Sequence, residues 1–194
     1  MNARRIVLAS SSPYRRELLE RLRLPFVTCS PDCDETPGEQ EPPECLVERL
    51  ARIKADSVAG QFPDALVIGS DQVAAVGGRI LTKPGTHERA REQLRQCSGQ
   101  RVEFHTGLCV RDSASGVEST LREPFTIHFR ALTDEEIERY LHTEAPYDCA
   151  GSIRSEGYAI TLFDRMEGRD PTALVGLPLI PLAGMLRAYG LLLP

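Results

Sequence analysis

The chain has little that would tie it to a membrane or a nucleic acid. Its N-terminal apolar run, Ile6-Val7-Leu8-Ala9, is too short for a signal peptide despite Arg4 and Arg5 before it. Nothing later approaches the length of a membrane span, so a soluble, cytoplasmic protein with no membrane partner is expected. Positive charge is not in excess: 28 acids stand against 23 bases, a formal charge of −5. Non-specific nucleic-acid binding needs a basic field, so no nucleic-acid partner is expected. An anion would have to be held by locally clustered cations or by a metal. The six cysteines include no Cys-x-x-Cys and no histidine at finger spacing, which argues against a zinc finger and for reduced cytosolic thiols. There is no Gly-x-x-x-x-Gly-Lys-Ser/Thr loop and no Gly-x-Gly-x-x-Gly, which disfavours kinase-type and dinucleotide-type sites.

What is present suits one compact domain over residues 1–194, with room for two lobes around a cleft: 194 residues, 41% hydrophobic and 26% charged. Ile6 to Ala9 reads as a buried strand. Pro13 to Leu22 reads as a helix with Ser12 as N-cap and Pro13 at the first helical position. Phe26 to Ser30 is a second strand, followed by an acidic, proline-punctuated loop to Pro43 and a long helix to about Ala59. Ala65 to Ser70 is the next strand. Val73 to Leu81 reads as a hairpin turning at Gly77-Gly78. His87 to Cys97 is predicted helical, Val102 to Phe129 a pair of strands, and Thr133-Asp134-Glu135-Glu136 a capping box opening a helix to about His142. Tyr158 to Phe163 is predicted as a strand, and a last helix carries Leu179, Leu182 and Leu186. Strands and helices mix without strict alternation. The expected class is α/β with α+β character: a mixed, partly antiparallel sheet flanked by helices. Phe125, Ile127, Phe129 and Tyr158 read as core, and the four histidines as structural, none with a ligand-spaced partner.

The candidate site begins at Asp71, where the run Ala65-Leu66-Val67-Ile68 closes on Gly69-Ser70 and delivers a carboxylate. Buried strands ending in an acid tend to place it in the crevice where α/β sheets bind ligands. Three cations point to the same place. Arg15 precedes Leu18, Leu19 and Leu22 by three, four and seven residues, so it lies on the core-facing stripe of its helix. With the helix-start N–H groups and the hydroxyls of Ser10, Ser11 and Ser12 it makes a phosphate site; the alternative is a salt bridge to a core-edge acid. Lys54 completes the apolar stripe Val47, Leu50, Val58, where it either serves the site or snorkels to solvent. A two-residue Gly77-Gly78 turn makes paired positions sum to 155, setting Gln72 opposite Lys83. Asp71 and Lys83 share a site only if the ladder ends or bulges there. Asp71 and Glu35 suit a hard divalent cation bridging phosphate oxygens; Asp32, Asp34 and Glu35 are otherwise solvated loop acids. The chemistry read from these residues is metal-assisted hydrolysis of a nucleoside polyphosphate.

These residues also fall in the order of a known family. Ser10-Ser11-Ser12-Pro13-Tyr14-Arg15-Arg16-Glu17-Leu18-Leu19, Asp34-Glu35, Lys54, Gly69-Ser70-Asp71-Gln72-Val73, Lys83-Pro84, Ser98-Gly99, Thr106-Gly107, Ala150-Gly151, Glu156-Gly157 and Val175-Gly176-Leu177-Pro178-Leu179 together resemble the Maf-like nucleoside triphosphate pyrophosphatases, from about residue 5 to 190. The resemblance implies a Maf/ITPase-like fold with a central substrate cleft. It implies hydrolysis between the α- and β-phosphates of a nucleoside triphosphate with a divalent cation (Mg, Mn or Co), in a housecleaning role and as a homodimer. It marks Asp71 as proton acceptor and, with Lys54 and Lys83, as catalytic. It makes Ser10, Ser12, Arg15 and Glu35 substrate contacts, with Asp71 and Glu35 toward the metal.

Tyr14, Gln72 and Glu156 are similar to the branch of that family preferring 7-methyl-GTP rather than dTTP or UTP. A 7-methylguanine ring is cationic, so an aromatic face and a carboxylate both favour it. The alternatives are a dTTP/UTP pyrophosphatase, or a nucleotide-binding regulator of cell division with weak catalysis. Cys149 stands where lysine is frequent in the family, and its role is left open.

Overall fold

The short run Ile6 to Ala9 is apolar on both of its faces, which suits a strand covered from both sides. In the computed structural model, which describes residues 4–194, it forms β1 (Arg5–Ala9), buried from Ile6 onward. Residues 1–3, part of the N-terminal stretch weighed above as a signal and of the 1–194 span, lie outside the described residues. Two strands pair with β1 in parallel, β2 (Phe26–Cys29) and β3 (Ala65–Val76). β3 continues past its last pairing with β1, Ala9 with Gly69, and there meets the short antiparallel strand β4 (Arg79–Leu81). Along nearly its whole length it also pairs antiparallel with β5 (Arg101–Asp112). β6 (Glu118–Phe129) and β7 (Phe163–Gly168) complete the order β2-β1-β3-β5-β6-β7, with β4 on β3. The sheet is mixed, as expected: parallel at one side and antiparallel across the rest.

β3 is one strand where the sequence suggests two. Ser70, Asp71 and Gln72 pair with Leu108, Gly107 and Thr106 of β5, so the polar interruption loses no backbone partner. The hairpin register is the one read from the turn, since Ala74 pairs with Leu81 and Val76 with Arg79. Gly77 and Gly78 both have positive φ, 54° and 78°, the geometry a two-residue primed turn requires.

Alternation along β1 assigns the helices. Ile6 and Leu8 point to the face covered by α1 (Pro13–Glu20) and α6 (Leu179–Ala188), where Leu18, Leu19, Leu182 and Leu186 are buried. Val7 and Ala9 point to the other face, under Ala51, Ala55 and Val58 of α2 (Pro43–Ala59). Beyond the hairpin, α3 (His87–Cys97) and α4 (Asp134–Glu144) close a third apolar cluster around Phe104, Ile127 and Tyr140. Ser12 caps α1, and Thr133 with Glu136 forms the capping box of α4. Phe125, Ile127 and Phe129 are core residues.

Two glycines let α2 lie flush on the sheet. A Cβ at Gly69 would stand 2.0 Å from the Ala51 carbonyl oxygen, and one at Gly107 2.0 Å from that of Val47. That approach lowers Lys54, one turn along α2, onto Asp71.

The region after α4 departs from expectation. Tyr158–Leu162 is a 3₁₀ helix, and the strand starts only at Phe163. Ala159 and Leu162 are the buried residues, a spacing of three that fits a 3₁₀ turn better than alternation. The Thr161 hydroxyl donates to the Tyr158 carbonyl and the Tyr158 N–H to Glu144, fixing the turn locally. Tyr158 is consequently exposed and not core. Among the described residues, no helix is long and apolar enough to cross a membrane.

Candidate active site

Where the parallel strands end, the chain leaves β1 at Ser10 and enters α1, while β3 runs on through Ser70 and Asp71. A cleft of about 500 Å³ opens there, bounded by the head of α1, α2, the β3–β4 hairpin, the 148–156 segment and the short helix α5 (Thr172–Val175). Ser10, Ser12, Tyr14, Arg15, Glu35, Lys54, Asp71, Gln72, Lys83 and Glu156 all line it. β4 ends at Leu81, so strict alternation no longer binds Lys83, and it reaches the same cleft as Asp71.

At the floor, the buried Lys54 ammonium donates to Asp71 Oδ1 at 2.6 Å and to Glu35 Oε2 at 2.7 Å. Lys54 therefore does not snorkel. Asp71 is 7% exposed overall, and charge-assisted bonds of this length fix its carboxylate in place on the Lys54 ammonium. Glu35 turns inward from the acidic loop, whereas Asp34 caps its own turn by accepting the Thr36 N–H. Arg49, unremarked in the sequence, fixes that loop: its guanidinium takes Glu41 in a two-pronged pair at 2.7 Å and donates to the Thr36 carbonyl.

Arg15 has no salt bridge among the described residues. Its Nε donates to the Gly176 carbonyl at 2.8 Å, and the Ser70 hydroxyl lies 2.9 Å from the same oxygen. Gly176 has φ 114°, a backbone conformation that favours glycine, and a Cβ there would press on Arg15 Nε at 3.3 Å. Burial lowers the Arg15 pKa, and Asp71 and Glu35 pull it back up. Lys83, exposed at the rim, also makes no ion pair among the described residues. Ser10 and Ser12 accept the Ser12 and Arg15 N–H groups, which leaves each hydroxyl hydrogen free to donate. Two cations without carboxylate partners, two hydroxyls and a helix start thus face one cavity, an arrangement suited to phosphate.

The upper wall is less simple. The Tyr14 hydroxyl donates to Asp148 at 3.4 Å, and its pKa is pushed up to about 12, by burial first and then by Cys149 and Asp148. Arg154 lies over the Tyr14 ring at 5.9 Å. Cys149 donates its thiol to Asp148, and burial, then Asp148, pushes it up to about 12, so this wall of the cleft carries a neutral thiol. Glu156 is exposed and accepts the Ser155 hydroxyl. Gln72 turns its amide nitrogen to the Ala173 and Leu174 carbonyls, at 2.7 and 3.0 Å, and so anchors α5. Sequence reasoning named neither this anchor, nor Arg154, nor the role of the Gly176 carbonyl; all three arise from contacts across long sequence separations.

For a metal, the floor of the cleft offers the carboxylates of Asp71 and Glu35, and neither Asp71 Oδ2 nor Glu35 Oε1 is hydrogen-bonded among the described residues. Two acids with open oxygens suit a hard cation that completes its shell with water and phosphate rather than a closed protein cage.

Comparison with known proteins finds relatives along nearly the whole chain. A curated relative from Nitrosococcus oceani, named 7-methyl-GTP pyrophosphatase, is 58% identical over 185 residues, covering 95% of this chain and 93% of that protein. The solved Staphylococcus aureus Ham1 protein aligns with a TM-score of 0.48 and 16% identity, covering 64% of this chain and 71% of that one; at that level it adds nothing to the assignment. The sequence pattern described as Maf-like protein matches residues 5–189, which takes in the ten cleft residues named above, and with the relative it shows that this chain belongs to the Maf-like family.

Proposed function

We propose that the chain is a nucleoside triphosphate pyrophosphatase that hydrolyses 7-methyl-GTP to 7-methyl-GMP and pyrophosphate, removing a modified nucleotide. The observation that carries it is the cleft in which Arg15 and Lys83 stand without acidic partners beside the buried Asp71–Lys54 pair; the named relative supports the substrate. Water adds to a phosphorus of the α–β anhydride, the bridging P–O bond breaks, and pyrophosphate leaves. Asp71, positioned by Lys54, takes the proton from that water. Arg15, Lys83 and the Ser10 and Ser12 hydroxyls bind and orient the phosphate oxygens. Asp71 and Glu35 are the residues that would hold a divalent cation (Mg, Mn or Co), which when bound neutralises phosphate charge. Tyr14 and Glu156 would receive the cationic base, and Gln72 acts by seating α5. The activity is assigned to one cytoplasmic domain over 1–194, on size, composition and cysteine pattern, and to a homodimer, on the family resemblance.

A second reading has one observation in its favour. Arg154 places a guanidinium against Tyr14, which a neutral pyrimidine tolerates better than a cationic ring. That reading keeps the enzyme class and makes dTTP or UTP the substrate. Comparing kcat/KM for 7-methyl-GTP, GTP, dTTP and UTP with each divalent metal separates them. A clear lead for 7-methyl-GTP supports the first, a lead for dTTP or UTP the second. Tight nucleotide binding with no turnover would refute both and favour a regulator.

A further inference from the structure

Outside the cleft, two helices bring together a donor set that the pyrophosphatase chemistry does not use. Glu138 and His142 lie four residues apart on α4, so their side chains share one face. His87, the first residue of α3, packs against them. Its Nε2 is 2.8 Å from Glu138 Oε2, and His142 Nε2 is 3.6 Å from the same oxygen. One ligand atom from each of the three lies within 4.8 Å of the others. We infer that His87, Glu138 and His142 form a second cation site, for a divalent transition metal of the zinc type.

The donor chemistry selects the metal. Two imidazoles and one carboxylate suit zinc and its neighbours, whereas magnesium and calcium take oxygen ligands. Tetrahedral bonds of about 2.1 Å set ligand atoms about 3.4 Å apart, so the widest pair closes by at most about 1.4 Å (4.8 less 3.4). The His142 side chain is 76% exposed and free to make that movement, and its exposure leaves a fourth position to water. The other ring nitrogen of His87 is 3.0 Å from the Tyr147 hydroxyl, the outer-shell partner that fixes a ligating imidazole in one tautomer. Arg91 engages the opposite carboxylate oxygen, Glu138 Oε1, at 3.5 Å, which leaves Oε2 for the metal at some electrostatic cost.

The site has a structural consequence. His87 follows Lys83 by four residues, and the Tyr147 carbonyl accepts the Gly85 N–H at 3.0 Å. A cation here would staple the start of α3 to α4 and hold both the lip carrying Lys83 and the lip carrying Asp148.

The test is calorimetric titration of zinc chloride into the chelator-stripped full chain without nucleotide, with cobalt(II) absorption as a second readout. The expected result is one tight equivalent that Asp71→Asn and Glu35→Gln both retain. His142→Ala should weaken it more than about 100-fold and abolish the cobalt band, with circular dichroism unchanged. Tyr147→Phe should weaken it about 10- to 100-fold, the range for an outer-shell partner. Magnesium-supported pyrophosphate release by His142→Ala should stay at the wild-type rate, which separates this site from the cleft. A tight equivalent that Asp71→Asn removes and His142→Ala keeps would overturn the inference, as would no tight zinc binding at all.

Discussion

Lys54→Met tests whether the floor of the cleft is a true buried pair. Methionine keeps most of the stem's volume and removes the ammonium. Asp71, 7% exposed, then loses its ion pair and is left as an uncompensated charge beneath α2. Removing one partner of a buried pair typically costs about 3–5 kcal/mol. Glu35, with a side chain 53% exposed, is solvated and adds little. For a chain of this size each kcal/mol lowers Tm by about 2–4 °C, so a fall of about 6–20 °C is expected. Adding Asp71→Asn removes the stranded charge, and the double variant should melt above Lys54→Met alone, with a coupling of about 0.5–3 kcal/mol. Calorimetric or fluorimetric melting of the four proteins at one pH and salt concentration reads the cycle. A Lys54→Met protein melting within about 1 °C of wild type, or two strictly additive substitutions, would refute the reasoning.

Further outcomes follow from single contacts. Gly69→Ala drives a Cβ to 2.0 Å from the Ala51 carbonyl, so α2 must lift off the sheet. That should cost about 1–3 kcal/mol or more in urea unfolding and slow turnover by displacing Lys54; wild-type behaviour in both would contradict the flush packing. Glu41 is held at about 2 against an ordinary 4.5, chiefly by its bond to Arg49. Its folded pKa is depressed, so its contribution is complete above about pH 4.5 and fades as pH falls through 2. Glu41→Gln should therefore lower Tm at pH 7, by a margin that narrows from about pH 4.5 downward and closes only below about pH 2, and a pH-independent difference would rule this out. Tyr14→Arg and Glu156→Gln should each change the ratio of kcat/KM between 7-methyl-GTP and dTTP while largely sparing phosphate chemistry, and an unchanged ratio would remove both residues from base recognition.

Much of the site was legible because its signals are local. Arg15 and Lys54 betray themselves as cations on apolar helical stripes, and Gly77-Gly78 fixes the hairpin register that carries Lys83 toward Asp71. The strand at Phe163–Gly168 was not legible. It is a largely exposed, charged edge strand, whose pairing with β6 leaves no hydrophobic alternation in its sequence. Tyr158–Leu162 misled in the opposite sense, because β-favouring Tyr158, Ile160 and Thr161 sit in a turn held by Glu144 from α4. The four-residue α5 is too short to give a period, yet its carbonyls decide where Gln72 points. The imidazole pair with Glu138 was missed: the sequence reading gives the histidines no ligand-spaced partner, although Glu138 and His142 stand four residues apart on α4. What brings His87 to them is the packing of α3 on α4, which no local pattern encodes.

The most direct test of the central claim is identification of the products of 7-methyl-GTP in a single turnover, run on the wild type and on Asp71→Asn. The account predicts 7-methyl-GMP and pyrophosphate in equal amounts from the wild type, and a rate about 10²- to 10⁴-fold lower from a folded Asp71→Asn protein. Formation of 7-methyl-GDP and inorganic phosphate, or an Asp71→Asn protein near the wild-type rate, would contradict it.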